Sequence, residues 1–78
     1  MAHGMLIRAG ANPDEPDSLR IAYVINGREF VSDIFPPGTP HEPQFDDLVK
    51  RLNVPVQALR AYRGKALVAE RPLKARGA

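Results

Sequence analysis

The stretch Leu19-Arg20-Ile21-Ala22-Tyr23-Val24-Ile25-Asn26-Gly27-Arg28-Glu29-Phe30-Val31-Ser32-Asp33-Ile34-Phe35 decides the fold of this chain. Two β-rich runs flank Asn26-Gly27, and both turn residues tolerate the positive φ that a two-residue hairpin turn demands. Such a turn pairs Ile25 with Arg28, Tyr23 with Phe30, Ile21 with Ser32 and Leu19 with Ile34 on one face. The other face pairs Val24 with Glu29, Ala22 with Val31 and Arg20 with Asp33. The first face is mostly large and apolar, while the opposed charges of Arg20 and Asp33 on the second help to fix the register. A lone hairpin is not stable in water, so the rest of the chain must cover its apolar face.

The residues that follow supply a cover. Phe35-Pro36-Pro37-Gly38-Thr39-Pro40 ends the second strand, because proline gives a ladder no amide. Phe45, Leu48, Val49 and Leu52 then fall at helical spacing on one stripe, with Asp46, Asp47, Lys50 and Arg51 off it. The acidic pair early and the basic pair late suit the helix dipole. Thr39-Pro40-His41-Glu42 has the form of a capping box with proline at the first helical position, and a start near Pro43 is equally open. Asn53, tolerant of the left-handed conformation, is the expected terminator. The expected core packs Leu19, Ile21, Tyr23, Phe30 and Ile34 against Phe45, Leu48, Val49 and Leu52.

With 78 residues, the chain has the size of one small domain. It contains no cysteine, which removes disulfides and thiolate zinc sites as staples and leaves packing to hold the fold. No apolar run is long enough for a signal peptide or a bilayer span, so a soluble, cytoplasmic protein with no membrane contact is expected. Gly10, Asn12-Pro13 and Glu15-Pro16-Asp17 punctuate residues 1–18, which read as a flexible N-terminal segment; the alternative for Met5-Leu6-Ile7 is a short edge strand. Residues 73–78 read as a flexible C-terminal tail, leaving 19–72 as the folded domain.

Net charge is +2, but it is unevenly distributed. Residues 1–49 hold three arginines against eight carboxylates, a net of −5, and residues 50–78 hold eight cations against Glu70, a net of +7. The basic half should seek something acidic: nucleic acid, an acidic protein face, or its own N-terminal half. Catalytic groups are sparse. Apart from the tyrosines, Ser18, Ser32 and Thr39 are the only hydroxyls, and His3 and His41 the only histidines. Nothing sets a nucleophile beside His41, and two distant histidines lack ligand spacing. Gly64-Lys65 lacks the glycine run and the following Ser or Thr of a phosphate loop. No catalytic residue, no metal and no cofactor is therefore expected, and the chain does not read as an enzyme.

The second half admits two readings, because residues 56–63 fit a helix (Val56, Leu59 and Tyr62 on one face) or a strand (Leu59 and Ala61 alternating with Arg60 and Tyr62). In the strand reading, hairpin, covering helix and returning strands give a small α+β fold of the β-grasp type. Val24-Ile25-Asn26-Gly27-Arg28-Glu29-Phe30, the helix from Phe45 to Leu52, and Tyr62-Arg63-Gly64-Lys65 resemble the ubiquitin-like superfamily, especially bacterial multiubiquitin-type domains. The last of these looks like ubiquitin's Phe-Ala-Gly-Lys turn, and Leu73-Lys74-Ala75-Arg76-Gly77-Ala78 is similar to the Leu-Arg-Gly-Gly ending. The resemblance implies a protein modifier or interaction module whose partner is a protein, such as an activating or conjugating enzyme. It implies Gly77 as the conjugation site once Ala78 is removed. A basic face of Arg60, Tyr62, Arg63, Lys65, Arg71, Lys74 and Arg76 would bind the partner. A full ubiquitin has more chain between the Gly-Lys turn and the tail, so one strand is expected to be missing or merged.

In the helix reading, residues 45–63 form a helix-turn-helix. The run from Asp47 to Tyr62 resembles the first two helices of MerR-like regulators, with Asn53 in place of the turn glycine. That resemblance implies a small DNA-binding regulator in which Gln57, Arg60 and Arg63 face the major groove and Lys65, Arg71, Lys74 and Arg76 hold phosphates.

Overall fold

The Asn26-Gly27 turn forms as the residue types require, with φ of 52° at Asn26 and 77° at Gly27. It joins β2 (Leu19–Ile25) to β3 (Arg28–Phe35) in the computed structural model, which describes residues 5–53 and 55–73. A single helix, α1 (His41–Arg51), and two further strands, β4 (Ala58–Arg63) and β5 (Ala66–Pro72), follow. A two-residue strand, β1 (Leu6–Ile7), precedes them. The five strands form one mixed sheet in the order β1-β3-β2-β4-β5, with the helix packed on one face. The fold is α+β. Because β3 and β4 both run antiparallel to β2 and flank it, α1 carries the chain across the middle strand.

The hairpin register follows the turn for four pairs and then departs from expectation. Ile25 pairs Arg28, Val24 pairs Glu29, Tyr23 pairs Phe30 and Ala22 pairs Val31. Between Ile21 and Ala22 the ladder slips by one residue, so Ser32 is extra and Ile21 pairs Asp33, Arg20 pairs Ile34 and Leu19 pairs Phe35. The expected partners Ser32 for Ile21, Ile34 for Leu19 and Asp33 for Arg20 are all displaced. A bulge of this kind flips the parity of everything beyond it. Phe35 thereby takes the place beneath the helix expected for Ile34, which stays buried on the other side of the sheet, and Asp33 turns under the helix instead of facing Arg20.

The core beneath α1 is Leu19, Ile21, Phe35, Phe45, Leu48, Val56, Leu59 and Ala61, with Tyr23, Ile25, Leu52, Ala69 and Leu73 partly buried against it. Val49, expected to pack inward, is 43% exposed. Phe45 and Leu48 fill the stripe instead. Phe30 stays only half-buried, its ring 5.6 Å from that of Tyr23.

The helix ends also differ from the expected caps. Pro40 is the N-cap and has no polar side-chain atom to offer, while the Thr39 hydroxyl, expected to cap, donates to the Pro36 carbonyl at 2.7 Å. At the other end Leu52, in extended conformation, is the C-cap, and Asn53 does not adopt a positive φ. Its amide still reaches back, from Leu52 N–H to the Leu48 carbonyl at 2.9 Å.

Asp33 gathers the elements around the bulge. It is 1% exposed, yet it accepts hydrogen bonds from Arg8 Nε at 2.8 Å and from the Ser32 hydroxyl, and Arg51 Nη2 lies 3.4 Å away. One carboxylate thus ties β1, β3 and the end of α1 together. Burial opposes its charge, but the hydrogen bonds from Ser32 and Arg8 and the positive charges of Arg51 and Arg8 outweigh that penalty and hold its carboxyl below the usual range.

Residues 5–18 take a defined path. Leu6 and Ile7 lie parallel to β3, opposite Asp33 and Ile34, and Arg8 N–H donates to the Ile34 carbonyl at 2.9 Å. For Met5-Leu6-Ile7 this is the edge-strand alternative rather than an irregular lead. Further along, Gly64 N–H donates to the Ser18 carbonyl at 3.2 Å. A Cβ at position 64 would stand 2.2 Å from the Pro16 carbonyl oxygen, so the N-terminal segment rests directly on the second turn.

Candidate partner-binding surface

Since Leu19, Ile21 and Tyr23 face the helix, strand alternation sends Arg20, Ala22 and Val24 to the opposite face. The register Arg20↔Tyr62 and Ala22↔Arg60 puts those two β4 residues on the same side, and Tyr62↔Leu67 and Arg60↔Glu70 extend the face onto β5. No helix covers this side among the described residues. The segment from Pro13 to Pro16 borders one corner.

Charges on this face are largely answered from within. The Tyr62 hydroxyl donates to Glu29 Oε2 at 2.5 Å, and Arg60 Nη1 lies 3.5 Å from the same oxygen. Arg60 Nε donates to Glu70 Oε2 at 3.1 Å. The bond to Glu29, then burial, then the Glu29 charge push the Tyr62 phenol above its ordinary pKa, so it stays neutral and donating.

On the helix side, Arg71 Nη1 donates to Asp46 Oδ1 at 2.8 Å, and its guanidinium lies 5.2 Å from the centroid of the Phe45 ring. Arg63 Nη2 donates to the Thr39 carbonyl at 2.5 Å. Part of the charge asymmetry between the halves is therefore answered inside the molecule: Arg51 with Asp33 and Asp47, Arg60 with Glu29, and Arg71 with Asp46 and Glu42. Of the three acidic targets that the basic half could seek, its own N-terminal half takes Arg51, Arg60 and Arg71, three of its six described cations.

The basic face expected from the sequence is thus divided. Arg60 and Tyr62 lie together on the open face and are engaged there, while Arg63 and Arg71 hold the helix side. Lys65 is exposed and forms no ion pair among the described residues. Lys74, Arg76 and Gly77 lie outside the described residues.

Arg20 joins Lys65. Both line a hollow with Glu29, Val31, Tyr62 and Gly64, and both line its neighbour with residues 13–16 and Gly64. Arg20 Nη2 reaches the Pro13 carbonyl at 3.4 Å, its Nε is buried without a hydrogen-bond partner, and no carboxylate pairs with it among the described residues. Sequence reasoning assigned Arg20 to Asp33 and so missed it; the bulge breaks that pairing. Gln57 was also missed in this role: its side-chain oxygen accepts from Gly27 N–H at 2.8 Å, fastening the first turn to β4.

Ala58–Arg63 is a strand, so the second helix required for a helix-turn-helix is absent among the described residues. The groove-facing roles of Gln57, Arg60 and Arg63 go with it. Among the described residues, no group of three or more His, Asp or Glu side chains could hold a metal ion, and no helix is long and apolar enough to cross a membrane. Compared with family models, curated proteins and solved structures, the chain matches none.

Proposed function

We propose that the chain is a non-enzymatic protein-interaction module of ubiquitin-like, β-grasp build, engaging its partner through the helix-free face of the sheet. The build is supported by the order of elements: hairpin, helix across it, returning strand, Gly-Lys turn and a further strand. β4 lies directly against β2, antiparallel to it, and the short stretch after the turn supplies only the edge strand β5. The observation that carries the interaction role is the contrast among cations. Arg51, Arg60 and Arg71 are neutralised by carboxylates, whereas Arg20 and Lys65 converge on one hollow of the open face, which Glu29 also lines, and neither forms an ion pair among the described residues. Exposed Leu67, opposite Tyr62, adds apolar surface beside it.

Photo-crosslinking in the producing cell tests this role. A photoreactive phenylalanine analogue at Leu67 should give adducts with another protein, and the same analogue at Lys50 on the helix should not. Adducts from Lys50 alone, or from neither position, would sink the assignment. Conjugation through Gly77, implied by the sequence resemblance of Leu73 to Gly77, is a second reading; a chain trimmed to Gly77 that forms no thioester with a neighbouring activating enzyme and ATP would remove it.

A further inference from the structure

We infer that the hollow between Arg20 and Lys65 receives a single carboxylate side chain of a partner peptide, one flanked in that peptide by basic residues. This rests on the reading of the helix-free face as the partner-binding surface, and it adds the chemistry of the ligand. Arg20 supplies a guanidinium whose recorded bond, to the Pro13 carbonyl, is at the long limit of hydrogen bonding. Its Nε is buried out of reach, so the remaining guanidinium donors are the ones a carboxylate would meet, and an arginine without a carboxylate partner is suited to one. Lys65 offers an exposed ammonium from the turn, and Gly64 beside it lines both hollows.

The rim selects against a polyanion. Asp14 and Glu15 border one hollow and Glu29 the other, and none of the three pairs with Arg20 or Lys65 among the described residues. A nucleic acid backbone would set successive phosphates against these carboxylates, and like-charge juxtaposition of that kind opposes binding. A glutamate or aspartate between lysines or arginines matches both features, its acid entering the centre and its basic neighbours meeting the rim. Val31, Pro13 and Pro16 give the walls apolar surface for the stems of those side chains.

The test is an NMR titration of the full chain with a synthetic lysine-glutamate-lysine peptide, its glutamine counterpart, and oligothymidylate. The glutamate peptide should move the amide signals of residues 20, 64 and 65, and the glutamine counterpart should bind about tenfold more weakly. Arg20→Gln should weaken binding by about tenfold, and the exposed Lys65→Gln by roughly threefold. The lysine variant leaves the fold intact, so the inference stays testable if Arg20→Gln unfolds. Equal binding of the glutamine peptide, an unchanged Lys65→Gln, or oligothymidylate competing at the same amides would each overturn it. If the peptide fails while crosslinks at Leu67 persist, this inference falls alone; if both are lost, the face itself was wrongly assigned.

Discussion

The two hairpins of this sheet are built alike and treated differently by the rest of the molecule. Each turns on a glycine with positive φ, and each carries one extra residue, Ser32 in β3 and Val68 in β5. In the first hairpin the bulge turns Asp33 and Phe35 under the helix, where both are enclosed. In the second, β5 is the sheet edge, and Leu67 and Val68 stay half exposed. The same backbone device turns side chains toward the helix in both hairpins, Asp33 and Phe35 in the first and Ala69 and Arg71 in the second, but only the first pair is fully enclosed. Edge strands in natural proteins are commonly interrupted by bulges and proline, and β5 has both, at Val68 and Pro72.

Substitutions can widen or close that contrast. The largest effect belongs to the shared core: Leu48→Ala, or Leu59→Ala at full burial, should cost about 2–5 kcal/mol in denaturant melts. An unchanged midpoint for Leu48→Ala would mean that the helix does not cover the first hairpin.

The two turn glycines come next. Gly64→Ala places a methyl against the Pro16 carbonyl at a φ of 61°, and should cost about 2–4 kcal/mol and shift amide signals of residues 13–18. Gly27→Ala meets open space and should cost only about 1–2 kcal/mol, from its left-handed backbone. Equal costs would deny the contact between the N-terminal segment and the second turn.

Asp33 distinguishes the hairpins by pH. Its carboxyl is depressed in the folded protein, so its contribution is fully present above the unfolded value of about 4 and is lost as pH falls through the lower folded value. Asp33→Asn should lower stability at neutral pH by about 1–3 kcal/mol and flatten the acid limb of the stability profile below about pH 4. A wild-type acid limb in the variant would remove Asp33 from that role. Smallest of all, Leu67→Ala on the exposed edge should change stability by less than about 0.5 kcal/mol.

Legibility in the sequence followed the same division. The first hairpin could be read because Asn-Gly dictates its turn and the four pairs beside it. Beyond Val31 the reading failed, since Ser32-Asp33-Ile34-Phe35 ends in two adjacent large apolar residues that are both buried, so apolar character does not choose the parity. The second hairpin stayed ambiguous because Leu59 serves a helical stripe and a strand alternation equally; only β2, waiting unpaired, decides for the strand. The open-face cations were obscured by the charge count. Counting shows a basic half, but which arginines are answered depends on cross-strand neighbours that composition does not contain.

The central position of β2 also bears on the order in which the chain assembles. Its β3 partner arrives through a two-residue turn, but Leu19 must wait for Arg63, beyond the hairpin and the helix. Closing that longer loop carries the greater entropic cost, so the second edge of β2 is the later one to be paired. Until then a strand rich in Leu, Ile and Val presents free backbone donors and acceptors along an apolar ribbon, and another unfinished chain can dock there. The hazard is one of crowding during refolding, rising with concentration, and it ends when β4 takes its place.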